Sequence, residues 1–279
     1  MSTITARERT VASLERSASQ AAPGMASRLP APEPRVVRFD AATLSAACLM
    51  LTAAYLLKLG FSRAGATDLV WILAPSGWLA KHIGGVPLVW EPYAGWISHS
   101  ARMVVGTACA GVNFLVVSWL ALYFSRQSRW GCLSSKLACA LSSFAVAYLA
   151  TVFTNAARIA LSAHLFSADI YTGWVTPARV HRALGVVMYC ATLLGLDRLF
   201  GAASRRAASG GTASRTATFG EFVPFVWYLA VALGVPVLNR AFARNPEQFA
   251  EHACWTLALG LAVFVCFKAV DRVRDRVSS

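Results

Sequence analysis

The chain is punctuated by stretches of about twenty residues that carry almost no charge, and this limits its fold more than any other feature. Residues 41–60, 103–124, 137–157, 180–197, 221–238 and 253–270 are each uncharged or nearly so. A helix crossing a hydrocarbon core of roughly 30 Å needs ~20 apolar residues, so these stretches predict about six transmembrane helices. Soluble domains carry about 25% charged residues. Here 14% are charged and 57% hydrophobic, and the excess apolar surface has to face lipid. The expected fold class is therefore all-α, a polytopic integral membrane helical bundle. Residues 69–79 are also apolar, but they are short and broken by Pro75-Ser76-Gly77, which predicts an interfacial or re-entrant segment.

Residues 1–40, with Pro23, Pro30, Pro32 and Pro34 and no apolar periodicity, cannot bury enough surface to fold and read as a flexible cytoplasmic tail. The first apolar run begins after residue 40 and is long enough to stay in the membrane, unlike a signal peptide. Residues 41–200 form the expected membrane-embedded core. A cytoplasmic linker at 201–220, containing Ser209-Gly210-Gly211, then leads to a two-helix membrane hairpin with a basic tail at 221–279. The net charge of +13 would suggest nucleic acid in a soluble protein, but the cations gather at the ends of apolar runs. That distribution points to membrane lipids as partners and not to nucleic acid. The clusters Arg126, Arg129 and Lys136, Arg198, Arg205, Arg206 and Arg215, and Lys268, Arg272, Arg274 and Arg276 place both termini in the cytoplasm by the positive-inside rule.

Three patterns stand out against the apolar background: Ala108-Cys109-Ala110-Gly111, Thr154-Asn155-Ala156-Ala157-Arg158-Ile159 and His181-Arg182-Ala183-Leu184-Gly185. With alternating spans all three come to the outer face. In a helix that starts at 103, Cys109 is expected roughly 9 Å below the outer end. Arg158 is expected about 33 Å along its helix from Lys136, at the outer boundary, and His181 opens the next span. A cation beside a thiol favours the nucleophilic thiolate. Arginine keeps its charge at any accessible pH, so Arg158 can support Cys109 or stabilise an oxyanion but cannot act as the base. Histidine can take a thiol proton and return it to a leaving amine. His181 fits that role, while spacing alone leaves His99 and His164 as alternatives.

Asn155 shares a helix face with Arg158 and can orient the guanidinium or donate to substrate. Asn113, four residues past Cys109, is expected to face the same way, and Gly185 to clear space beneath the His181 ring. Cys48, Cys139, Cys190, Cys254 and Cys266 read as packing residues, and Cys132 as incidental in a cytoplasmic loop. Seven cysteines without a CxxC pair give no metal or redox signature. No metal or organic cofactor is expected.

Cys-Ala-Gly at 109–111, Asn-Ala-Ala-Arg-Ile at 155–159 and His-x-x-x-Gly at 181–185, each at the mouth of successive membrane helices, together resemble the exosortase/archaeosortase family of polytopic sorting enzymes. The Cys-Ala-Gly-Val-Asn-Phe wording is similar to the branch called exosortase K. The resemblance covers residues 103–190 and departs from the commoner Cys-Ser-Gly at Ala110, which removes a hydroxyl but keeps the nucleophile. It implies a cysteine protease/transpeptidase on the outer face of a prokaryotic inner membrane, with Cys109 as nucleophile and Arg158 and His181 as its partners. The implied substrates are exported proteins whose C-terminal sorting signal combines a short motif, a transmembrane helix and a basic tail. The competing expectation is a non-enzymatic transporter component or assembly scaffold, in which Arg158 and His181 bind an anionic headgroup or solute.

Overall fold

The computed structural model describes residues 41–126, 132–168, 170–208, 223–238 and 245–278; the expected tail at 1–40 and residues 209–220 of the expected linker lie outside them. The chain forms helices α1 (Ala41–Arg63) and α2 (Val70–His82), then strands β1 (Val89–Glu91), β2 (Gly95–Ser98) and β3 (Met103–Val105). Helices α3 (Val112–Arg126), α4 (Leu133–Ser167), α5 (Pro177–Ala208), α6 (Val223–Leu238) and α7 (Pro246–Ser278) follow. Among the described residues five segments are long and apolar enough to cross a membrane: Ala41–Arg63, Thr107–Arg126, Leu133–Ser167, Pro177–Phe200 and Pro246–Arg274. The expected crossing at 221–238 is described as α6, 16 residues from Val223 to Leu238, and residues 209–222 and 239–244 on either side lie outside the described residues.

The mostly helical fold and its exposed apolar surface follow from the sequence pattern. Leu44, Tyr55 and Leu56 on α1, Leu141, Leu149 and Phe153 on α4, and Leu261 and Val265 on α7 each expose more than half their surface. Exposed apolar area of this extent needs a non-aqueous neighbour. Helix α2 has 13 residues, about 20 Å, and stays too short to span, as its broken sequence predicts. Its Gly77 is tightly covered, because a Cβ there would lie 2.2 Å from the Trp96 indole. Trp96 Nε1 also donates to the Leu73 carbonyl at 2.9 Å, which docks the sheet on this helix.

Helix α4 is the central element and packs against α1, α2, α3 and α5. Trp119 Nε1 on α3 donates to the Ala140 carbonyl at 2.9 Å, and Tyr148 OH donates to the Trp71 carbonyl at 2.7 Å. At the start of α4, the buried Lys136 ammonium donates to the Thr43 hydroxyl. In lipid such van der Waals contacts and interhelical hydrogen bonds carry the association. One apolar cluster joins α1 to α4 through Met50, Ile72, Leu115, Cys139 and Ile159. A second joins α3, α5, α6 and α7 through Phe114, Val186, Leu193, Phe225 and Phe264. The C-terminal helices are thus packed onto the core.

Three sequence expectations need correction. The run 103–124 is not one helix, because Met103–Val105 is a strand and Thr107–Cys109 a 3-10 turn before α3 begins at Val112. Two β-branched residues at 104–105 favour the extended state, and the left-handed backbone at Gly111 (φ 73°) separates the 3-10 turn from the helix. The bundle is therefore not purely α-helical; it carries a three-stranded antiparallel sheet, ordered β1-β2-β3. Helix α4, the third expected crossing, has 35 residues instead of the expected 137–157, so it continues nine residues past Arg158 and does not end there. Finally, residues 201–208, expected in a linker, extend α5.

Candidate active site

The three sequence patterns converge at the end of the bundle that carries the sheet. Cys109 ends the 3-10 turn that follows β3, and His181 lies in the first turns of α5. The Cys109 Sγ and His181 Nε2 are 3.8 Å apart, within reach of a sulfur hydrogen bond. Both side chains are partly exposed and line a cavity of about 410 Å3 shared with β3, Ser162 and Phe166 of α4 and Tyr171 of the following loop. Such a volume suits a small ligand or a short peptide segment.

The α4–α5 contact is an antiparallel polar seam. Ser162 Oγ stands 3.5 Å from His181 Nδ1. The Arg158 guanidinium carbon stands 5.1 Å from the Tyr189 ring centroid. Tyr189 OH donates to Asn155 Oδ1 at 3.3 Å, and the hydroxyls of Thr154 and Thr192 are 3.0 Å apart. Descending α4 from 162 to 154 therefore means ascending α5 from 181 to 192, which is the register of two antiparallel helices. Gly185 lies within this seam. A Cβ at that position would come 3.3 Å from Arg158 Nη1, so the glycine makes room for the guanidinium rather than for the imidazole.

Asn155 holds the backbone of Cys109. Fully buried, it donates from Nδ2 to the Cys109 carbonyl at 2.6 Å while its Oδ1 accepts from Tyr189. This is a different task from orienting Arg158. Gly111 completes the contact, since a Cβ there would meet Thr151 Cγ2 at 3.0 Å and Tyr189 OH at 3.3 Å. Phe114 stacks on Tyr189 with centroids 4.5 Å apart. Tyr189 and Ser162 escaped the sequence reading, although each shares a helix face with a residue singled out there: Ser162 one turn beyond Arg158, Tyr189 one turn beyond Gly185.

Arg158 is 6% exposed, and its Nε and Nη2 have no hydrogen-bond partner among the described residues. A buried cation left with open donors is costly, and it is suited to receive negative charge. Asn113, by contrast, does not join the site. It is exposed and accepts a hydrogen bond from the Lys58 ammonium of α1 at 2.6 Å. The reason is that Cys109 and Asn113 do not share a helix, so their spacing of four does not align them.

Geometry also separates the histidines. His164 Nε2 engages the Gly84 carbonyl at 2.9 Å, His82 Nδ1 the Trp78 carbonyl at 2.9 Å and His252 Nε2 the Ala232 carbonyl at 3.2 Å. His181 is the one whose ring contacts Cys109. No group of three His, Cys, Asp or Glu side chains among the described residues is placed to hold a metal ion.

Set against family models, curated proteins and solved structures, the chain matches none. The fold and the site together define its class: a mostly helical protein with five described helical segments long and apolar enough to cross a membrane and a thiol–imidazole pair at one end of the bundle.

Proposed function

We propose that this protein is an exosortase-like cysteine peptidase or transpeptidase, which cleaves the C-terminal sorting signals of exported proteins at the outer face of a prokaryotic inner membrane. The observation that carries the reading is the Cys109–His181 contact of 3.8 Å, with a buried guanidinium that has open donors packed at Gly185, one turn along α5 from His181. With the imidazole proton on Nδ1, donating to Ser162 Oγ, the Nε2 lone pair accepts the Cys109 proton. The thiolate attacks the scissile carbonyl and forms the C–S bond, and the carbonyl oxygen becomes an oxyanion facing Arg158. Collapse of this intermediate breaks the C–N bond, and His181 returns the proton to the departing amine. Water or an acceptor amine then attacks the thioester, releases the acyl product and restores the thiol.

In this reading the expected crossing at 221–238 also spans the bilayer, which makes six spans and leaves both termini in the cytoplasm. The cation clusters at 126–136, 198–215 and 268–276 support that orientation. Irregular backbone such as the β3–Cys109 stretch is tolerated near a membrane only where it is buried in protein or lines a cavity, and here it lines one.

The test is processing, in cells, of a reporter bearing a C-terminal motif, an apolar helix and a basic tail. Cys109→Ala and His181→Ala are expected to abolish cleavage, and Arg158→Ala to reduce it by about 10²-fold or more. Normal processing by Cys109→Ala would discard the mechanism and leave the open Arg158 donors to an anion-binding role.

A further inference from the structure

The sheet has the order β1-β2-β3, so β3 is an edge strand. On one side it pairs with β2, Trp96 opposite Val105, Ile97 opposite Val104 and Ser98 opposite Met103. On the other side no backbone hydrogen bond joins Met103, Val104 or Val105 to another described residue. Alternate residues of an antiparallel strand point their N–H and C=O away from the paired neighbour, so this edge offers a donor and an acceptor without backbone partners among the described residues. Proteins usually blunt such an edge with charge, proline or a covering segment. The residues of β3 are all apolar, and its edge is uncovered by described backbone.

The edge also belongs to the site. Five consecutive residues, 101–105, line the cavity that holds Cys109 and His181. A strand presenting a face would contribute every second residue; consecutive lining is what a strand does when its edge borders the space. From the end of β3 the chain passes through Gly106 into the 3-10 turn that ends at Cys109, so edge and nucleophile are contiguous.

Resting on the peptidase reading above, we propose that the scissile segment of the substrate binds as a fourth strand on the open edge of β3, which delivers its carbonyl to Cys109. A helical substrate hides its carbonyls in its own hydrogen bonds and cannot present one to a thiol. An extended segment exposes its backbone, and that backbone needs partners where water is scarce. The β3 edge supplies them over about 10 Å, the length of three strand residues. Main-chain pairing gives affinity largely independent of sequence. Selectivity comes from every second substrate side chain, which enters the cavity against Ile159 and Phe166, so apolar residues are favoured at alternate positions.

The experiment uses the full chain in its native membrane with Cys109→Ala, so that binding is read without cleavage. Val104, 56% exposed, is replaced by cysteine (V104C) and oxidative crosslinking is scanned against single cysteines placed through the motif of the tailed reporter. The same chain without V104C gives the background from the other native cysteines. The expected pattern is a maximum at one reporter position, weaker crosslinks two residues either side, and yields at least about five-fold lower at the immediate neighbours, because only directly opposed and diagonal pairs approach closely. A helical three-to-four residue spacing, a flat profile, or no crosslink overturns the added strand. Reporter cleavage by the wild-type chain is measured in parallel. The two-residue pattern without wild-type cleavage would uphold the strand and refute the peptidase, whereas cleavage without the pattern would do the reverse.

Discussion

Replacing Asn155 with alanine removes a side chain that ties the Cys109 turn to α4. Its Nδ2 donates to the Cys109 carbonyl at 2.6 Å and its Oδ1 accepts from Tyr189 at 3.3 Å, with no part of the residue exposed. Truncation leaves a carbonyl and a hydroxyl without these partners, and an unsatisfied buried group costs about 1–3 kcal/mol. The folded bundle should survive that loss, because the α4–α5 seam keeps its Ser162–His181 and Thr154–Thr192 contacts. In the proposed peptidase, catalysis should suffer more. A shift of the Cys109 turn by about 1 Å opens the thiol–imidazole contact, and misplacement of that size costs about 10²-fold in rate. In a purified assay on the tailed reporter, kcat should fall by about that factor with KM little changed, as for a residue that positions the nucleophile without binding substrate. Tyr189→Phe, which removes only the hydroxyl donated to Asn155, should cost about 3–10-fold, and the double variant should lose less than the product of the two singles. A kcat for Asn155→Ala within about two-fold of wild type, at equal folded yield, would refute the positioning role.

Gly111→Ala should lower both thermal stability and turnover. The left-handed backbone at φ 73° costs an alanine about 1–2 kcal/mol, and the new Cβ would press on Thr151 Cγ2 at 3.0 Å; unchanged melting would contradict this. Asn113→Ala should leave reporter cleavage within about two-fold of wild type, because its partner is Lys58 and not the thiol; a large loss would return Asn113 to the site. At the other end of the bundle, hydrogen bonds from the Ser134 and Ser135 hydroxyls pull the exposed Cys132 thiol down to about 7. Its thiolate is therefore populated above that pH, and its alkylation rate should level off at lower pH than for an ordinary thiol. Ser134→Ala with Ser135→Ala should move the midpoint up toward about 8.5, and a wild-type midpoint already there would remove the effect.

The motifs were legible because they are local. Asn155 and Arg158 share a helix face at any helix length, and His181 and Gly185 share another, so each pair could be read from spacing alone. Cys109 with Asn113 followed the same rule and failed, because the rule assumes a helix where the chain forms a strand and a 3-10 turn. A continuous apolar run does not distinguish a helix from a buried strand. The discriminating signals were the paired valines at 104–105 and the glycines at 106 and 111, which punctuate the run before α3.

The sequence by itself determined that the chain is mostly helical and that five described helical segments are long and apolar enough to cross a membrane. Long uncharged runs have to satisfy every backbone group internally, which only helices of that length can do across a bilayer. The tertiary structure decided what meets at the site. It selected His181 over the other histidines, gave Asn155 to the Cys109 carbonyl, added Tyr189 and Ser162, and left Asn113 outside. The physical reason is that side-chain convergence depends on the antiparallel register of α4 and α5 and on strand pairing between β2 and β3. Both are relations between segments, and no periodicity within one segment encodes them.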